Sequence, residues 1–81
     1  MKTTSYFREQ VLQKRPYLSI ELCASIIANP LKREEQPDVR IRFWSLDPER
    51  EGKYIRVVTL EYGETIHNAF RDRNFTITDV S

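Results

Sequence analysis

The chain has 81 residues, 40% of them hydrophobic and 31% charged, with 13 Lys or Arg against 12 Asp or Glu and a formal net charge of +1. A chain of this length folds around one core, burying only roughly 60% of its unfolded surface, which points to a single domain over residues 1–81 and excludes a second one. No stretch approaches the run of about 18 apolar residues that a membrane helix needs, the near-neutral charge excludes a protein that is basic in bulk, and Cys23, the single cysteine, excludes an internal disulfide framework or a cysteine-rich zinc site.

The first residues, Met1 to Ser5, carry no apolar signal segment, so the expected location is the cytoplasm. Tyr6 to Arg15 then spaces Phe7, Val11 and Leu12 as one face of a short amphipathic helix, with Thr4 or Ser5 as N-cap and Pro16 as its stop. Ser19 is the N-cap of a second helix in which Leu18 and Cys23 can form a hydrophobic staple. Its stripe of Ile20, Cys23, Ala24 and Ile27, flanked by Leu22 and Ile26, is wide enough to be buried, and Asn29-Pro30 ends it. Cys23 therefore reads as a small buried side chain.

Leu31 to Glu35 has only a weak strand pattern, whereas Val39 to Ser45 alternates Val39, Ile41 and Phe43 with Arg40, Arg42 and Trp44. Leu46 to Lys53 is a polar loop with Pro48 and Gly52 as turn formers. Tyr54 to Leu60 and Thr65 to Phe70 form a hairpin about Tyr62-Gly63, and Phe75 to Val80 is a candidate last strand. The pattern predicts an α+β fold, with two N-terminal helices packed on one face of a small antiparallel sheet of three to four strands.

Alternation assigns Val39, Ile41, Phe43, Ile55, Val57, Ile66 and Phe70 to the helix side of that sheet. The other face receives Arg40, Arg42, Trp44, Tyr54, Arg56, Val58 and His67. From Pro37 onward seven Lys or Arg meet eight Asp or Glu, so only the arrangement of charge argues for a nucleic-acid partner. Arginines interleaved with aromatic rings can pair with phosphates and stack on unpaired bases of RNA. The same residue types also make protein-interface hot spots, or simply a solvated face on which arginine stems cover apolar surface. His67, the only histidine, is the natural general acid or base. Arg71 and Arg73, which follow it closely, and Arg56, on the neighbouring strand, are phosphate-gripping groups, and Asp72 can pair with one of its neighbouring arginines.

The segments RPYLSIELCASIIANP, GKYIRVVTLEYGETIHNAF and RDRNF, spanning Arg15 to Phe75, together resemble a family of small bacterial domains grouped with RelE- and BrnT-type ribonuclease toxins. The resemblance implies a two-helix layer on an antiparallel sheet and a small antitoxin protein that blocks the sheet face. Members of that family often carry a histidine in the first helix, where this chain has Tyr6, Phe7 and Arg8, while the terminal arginines match at Arg71 and Arg73. On this reading the chain cleaves RNA without a metal or cofactor. His67 is the acid or base, Arg56 and Arg71 clamp phosphate, Tyr54 positions or donates a proton, and Arg40, Arg42, Trp44 and Arg73 bind RNA. The alternative is a non-catalytic module that binds a small antitoxin-like partner through the same face. Neither reading involves a membrane, and the oligomeric state is open.

Overall fold

A computed structural model describes residues 1–76 of the chain. Apolar alternation at Ile41, Phe43, Ile55 and Val57 builds the two central strands, β3 (Ile41–Leu46) and β4 (Tyr54–Leu60), whose inward residues are all almost fully buried. Around them lie β1 (Lys2–Thr3), β2 (Lys32–Glu35) and β5 (Thr65–Arg71), giving a five-stranded sheet in the order β1-β5-β4-β3-β2. All neighbours are antiparallel except β1, which runs parallel to β5 with Lys2 opposite Thr65 and Thr3 opposite Ile66. The fold is α+β, with a mixed sheet of five strands in place of the three to four antiparallel strands expected. A two-residue strand such as β1 has no periodicity to read, and β2, with sequence KREE, has no buried face.

Two short helical segments cover one face. The first, α1, combines a π-type stretch, Phe7–Val11, with a single α turn, Leu12–Lys14. Its wide turn is closed by the Leu12 N–H reaching the Phe7 carbonyl, and the Thr4 hydroxyl caps it by accepting from the Phe7 N–H at 3.0 Å. The second, α2, covers Ile20–Ala28 and starts as expected, with Ser19 Oγ accepting from the Leu22 N–H at 3.0 Å. Phe7 and Val11 from α1, Leu18, and Cys23 and Ile26 from α2 meet Ile41, Phe43, Ile55, Val57, Ile66 and Ala69 of the sheet in one core. Burial pushes the Cys23 thiol up to about 12, which keeps it protonated and unreactive.

Two alternation assignments fail, for different reasons. Val39 is exposed and has φ of 64°, because it belongs to the turn before β3. Phe70 turns away from the helices and Ala69 takes the core position, because β5 carries a bulge. Val58 pairs with Asn68 while the next residue, Thr59, pairs with Ile66, so His67 is the extra residue and every later side chain changes face. The Asn68 side chain closes the bulge by accepting from the Ala69 N–H at 2.9 Å. Of the candidate strand Phe75–Val80, Phe75 and Thr76 are not in a strand and the remainder lies outside the described residues.

Val39, Glu61 and Tyr62 all adopt positive φ, and the Tyr62 N–H bonds the Val39 carbonyl at 3.2 Å, joining two turns at one corner of the sheet. A β-branched residue pays most for that conformation. Val39→Gly should therefore raise stability by about 1 kcal/mol in urea unfolding, after allowing for the extra chain entropy of glycine. An unchanged or lower midpoint would contradict a strained turn.

Candidate functional site

The sheet face away from the helices carries an open groove of about 550 Å³ that runs across β5, β4 and β3. Val58 and Phe70 line its floor, and Arg40, Arg42, Arg56 and His67 supply its charge. The bulge is what allows both His67 and its neighbour Asn68 to line it.

His67 is fixed from below by the start of the chain. Its Nδ1 lies 3.1 Å from Thr4 Oγ1, the same hydroxyl that caps α1, and the Tyr6 ring packs on the imidazole at 5.2 Å between centroids. If Nδ1–H donates to Thr4, the lone pair of the neutral ring sits on Nε2. Burial, and then the positive charge of Arg40, lower the His67 pKa below its ordinary value, so the neutral base predominates at pH 7.

Each arginine of the groove has a carboxylate partner. Arg40 Nε is 3.4 Å from Asp38 in an exposed pair, and Arg42 Nη1 is 3.5 Å from Glu34 in a half-buried one. Arg56 is held far more tightly, its Nε and Nη2 donating to Asp72 Oδ2 at 3.0 and 2.9 Å while its guanidinium lies 4.8 Å from the Phe70 ring centre. Asp72 thus pairs with Arg56 across the strands, and not with either arginine beside it in sequence. The same Oδ2 accepts from Trp44 Nε1 at 3.0 Å, and Oδ1 accepts from the Asn74 N–H. Burial alone would raise the Asp72 pKa, but the hydrogen bonds from Trp44, Arg56 and Asn74 and the Arg56 charge outweigh it, so the pKa is lowered.

Trp44 does lie on the outward face, yet it is 5% exposed, because Phe75 stacks on it at 4.8 Å with the rings 11° from parallel. It is therefore part of a small outer core and not an open stacking platform. Tyr54 meets the same Phe75 edge-on at 5.1 Å and lines a separate hollow with Arg73. Arg71 is opposite Ile55 on the helix side, donating to Asp47 at 2.7 Å and to Glu49, with its guanidinium 3.8 Å from the Tyr17 ring centre. Of the residues singled out from the sequence, the groove gathers Arg40, Arg42, Arg56 and His67, and it leaves out Trp44, Tyr54, Arg71 and Arg73. It adds Tyr6, Asn68 and Phe70. Only the bulge brings the last two there, and nothing in the hydrophobic rhythm marks it.

Among the described residues no group of three or more His, Cys, Asp or Glu side chains is arranged to hold a metal ion, and no helix is long and apolar enough to cross a membrane. No protein-family model, no curated protein and no solved structure matches the chain.

Two measurements check this electrostatic arrangement. An NMR titration should place the His67 midpoint below 6.5, and Arg40→Gln should move it upward; a midpoint at or above the ordinary value would overturn the assignment. The stabilisation from a neutral His67 is present above its unfolded-state pKa and is lost as pH falls through the lower folded-state value. Asp72→Ala leaves Arg56 and Trp44 without their acceptor, and it should cost about 3 kcal/mol in urea unfolding at pH 7. The difference from wild type should shrink in acid, because the stability contributed by Asp72 is lost as pH falls from the ordinary carboxylate range through its lowered pKa.

Proposed function

We propose that the chain is a metal-independent ribonuclease of the RelE and BrnT toxin type, acting in the cytoplasm, which binds single-stranded RNA in the His67 groove. The observation that carries this reading is a histidine held by Thr4 in a groove that also presents Arg40, Arg42 and Arg56, with burial and Arg40 lowering its pKa. In the reaction, neutral His67 takes the proton of a ribose 2'-hydroxyl as its oxygen attacks the adjacent phosphorus. The bond from phosphorus to the 5'-oxygen breaks, leaving a 2',3'-cyclic phosphate and a 5'-hydroxyl. Arg40, Arg42 and Arg56 stabilise the charge that builds on the phosphorane oxygens. The Tyr6 phenol, whose ring packs on His67 and which lines the groove, donates the proton to the leaving oxygen, where the sequence alone offered Tyr54 as the positioning or proton-donating phenol. Arg71 acts through the fold, by tying β5 to the Asp47 loop beneath Tyr17.

A second reading is favoured by one observation: Asp38, Glu34 and Asp72 already neutralise the three arginines around an apolar floor of Val58 and Phe70. Such a face suits a small antitoxin-like protein, either as the inhibitor of the ribonuclease or as the partner of a module that does no chemistry.

Single-stranded RNA incubated with purified chain in excess chelator should yield 2',3'-cyclic phosphate ends. His67→Ala should lower the rate at least about 100-fold, the smallest effect expected for a lost general base. Arg71→Lys should lower the melting temperature while leaving the rate per folded molecule within about twofold, because its guanidinium is engaged on the helix side. No cleavage by folded, partner-free wild type, with no RNA-induced shift of the His67 resonances, would leave the interaction module as the reading.

A further inference from the structure

At the far end of β4 a second hollow, of about 590 Å³, is lined by Arg50 and Lys53 from the β3–β4 loop and Arg73 from the turn after β5, together with Arg71, whose charge is already met by Asp47 and Glu49. Its charges differ in kind from those of the groove. Among the described residues Arg33, Arg40, Arg42, Arg56 and Arg71 all lie within 3.5 Å of a carboxylate, whereas Arg50, Lys53 and Arg73 make no such pair. Three like charges brought to one concavity repel one another, and that cost is offset when an anion binds there.

The backbone that carries these cations is pinned without any ligand. In the loop, the Asp47 N–H bonds the Lys53 carbonyl at 2.9 Å, the Arg50 N–H bonds the Asp47 carbonyl at 3.2 Å, and the Lys53 N–H bonds the Arg50 carbonyl at 3.1 Å. The Asp47 side chain, 5% exposed, further accepts from the Glu49 N–H and from Arg71. The Arg73 turn is held by Asp72, whose Oδ1 accepts from the Asn74 N–H and whose carbonyl accepts from the Phe75 N–H. Both carboxylate oxygens of Asp72 are therefore already engaged, and among the described residues Glu51 is the acid of the lining left to oppose Arg50, Lys53 and Arg73. The Tyr54 phenol adds a neutral donor to the lining.

We propose that this hollow is a phosphate-binding site, in which Arg50, Lys53 and Arg73 surround a phosphate dianion and Tyr54 donates to one of its oxygens. The dianion carries more charge than the single negative charge of an internal phosphodiester, so the site takes either a terminal phosphomonoester or free inorganic phosphate. The free-phosphate form stands independently of the ribonuclease reading; the nucleic-acid form rests on it.

The test is an NMR titration of the labelled full chain with inorganic phosphate at pH 7, with chloride adjusted to hold ionic strength constant. Saturable shifts should centre on Arg50, Lys53 and Arg73. The double variant Arg50→Gln/Lys53→Gln, both positions being exposed, should weaken binding by at least about tenfold. Glu51→Gln should tighten it severalfold. Absence of saturation, shifts centred on His67 and Arg40, or undiminished binding by the double variant would each overturn the site. To separate the two sources, a 5'-phosphorylated single-stranded tetrauridylate is compared with its 5'-hydroxyl form. Tighter binding of the phosphorylated form, lost in the double variant, assigns the terminal phosphate of RNA; equal binding, with inorganic phosphate still saturating, assigns free phosphate. His67→Ala should leave phosphate binding unchanged, so failure of the ribonuclease reading and failure of this site have separate signatures.

Discussion

The outward face of the sheet is organised by one carboxylate. Asp72, just beyond β5, takes Trp44 Nε1 from β3 and the Arg56 guanidinium from β4 on a single oxygen, and turns its other oxygen to the backbone of the Asn74 turn. Three consecutive strands are thereby joined on the side that has no helices. The turn it holds delivers Phe75 onto Trp44 and against Tyr54, so a second, smaller apolar cluster forms opposite the main core. In a chain of 81 residues that addition matters, because a single core leaves little stability in reserve. The cluster also divides the face in two, with the His67 groove on one side and the basic hollow beside Tyr54 on the other.

A second device, the bulge at His67, determines what the groove contains. In an unbroken β5 the residues after His67 would alternate so as to bury Phe70 and expose Ala69. The extra residue reverses that, placing Phe70 under Arg56 and leaving the small Ala69 in the core beneath the helices. The Thr4 hydroxyl connects this site to the start of the fold, since one oxygen both caps α1 and meets His67 Nδ1. Orientation of the imidazole is consequently tied to the first turn of the helix and not to another groove side chain.

What was legible in the sequence follows from the same physics. Ile41, Phe43, Ile55 and Val57 were readable because a strand with one buried face must alternate, and Ser19 because an N-cap has a chemical signature. Arg40, Arg42, Arg56 and His67 were placed correctly on the outer face by that parity alone. Phe70 was not, because it lies beyond the bulge, where parity is inverted by a backbone event with no composition of its own, and the same inversion turns Arg71, expected to clamp phosphate, to the helix side. Trp44 and Tyr54 were assigned to the right face, but their cover, Phe75, comes from a turn set by Asp72, a contact between residues 28 positions apart for Trp44. Tyr6 escaped for a similar reason: it sits at the start of a helix, and only the packing of β1 against β5 brings it to His67.

The three arginines of the groove are not equivalent as ligands. Arg40 and Arg42 hold solvent-accessible carboxylates at 3.4 and 3.5 Å, and pairs of that kind contribute only about 0–1 kcal/mol, so a phosphate can take their guanidinium groups at small cost. Arg56 cannot be recruited in the same way, because its partner Asp72 is 4% exposed at the side chain and would be left buried without its charge partner. It can still act on an anion through its remaining donors and its field, from a fixed position. The groove therefore combines two movable cations at its rim with one immobile cation at its base, next to a neutral histidine. On the proposed reading, that combination lets a face whose arginines are all paired at rest take a negatively charged chain, since the acids that neutralise Arg40 and Arg42 are Asp38 and Glu34, whose side chains reach water.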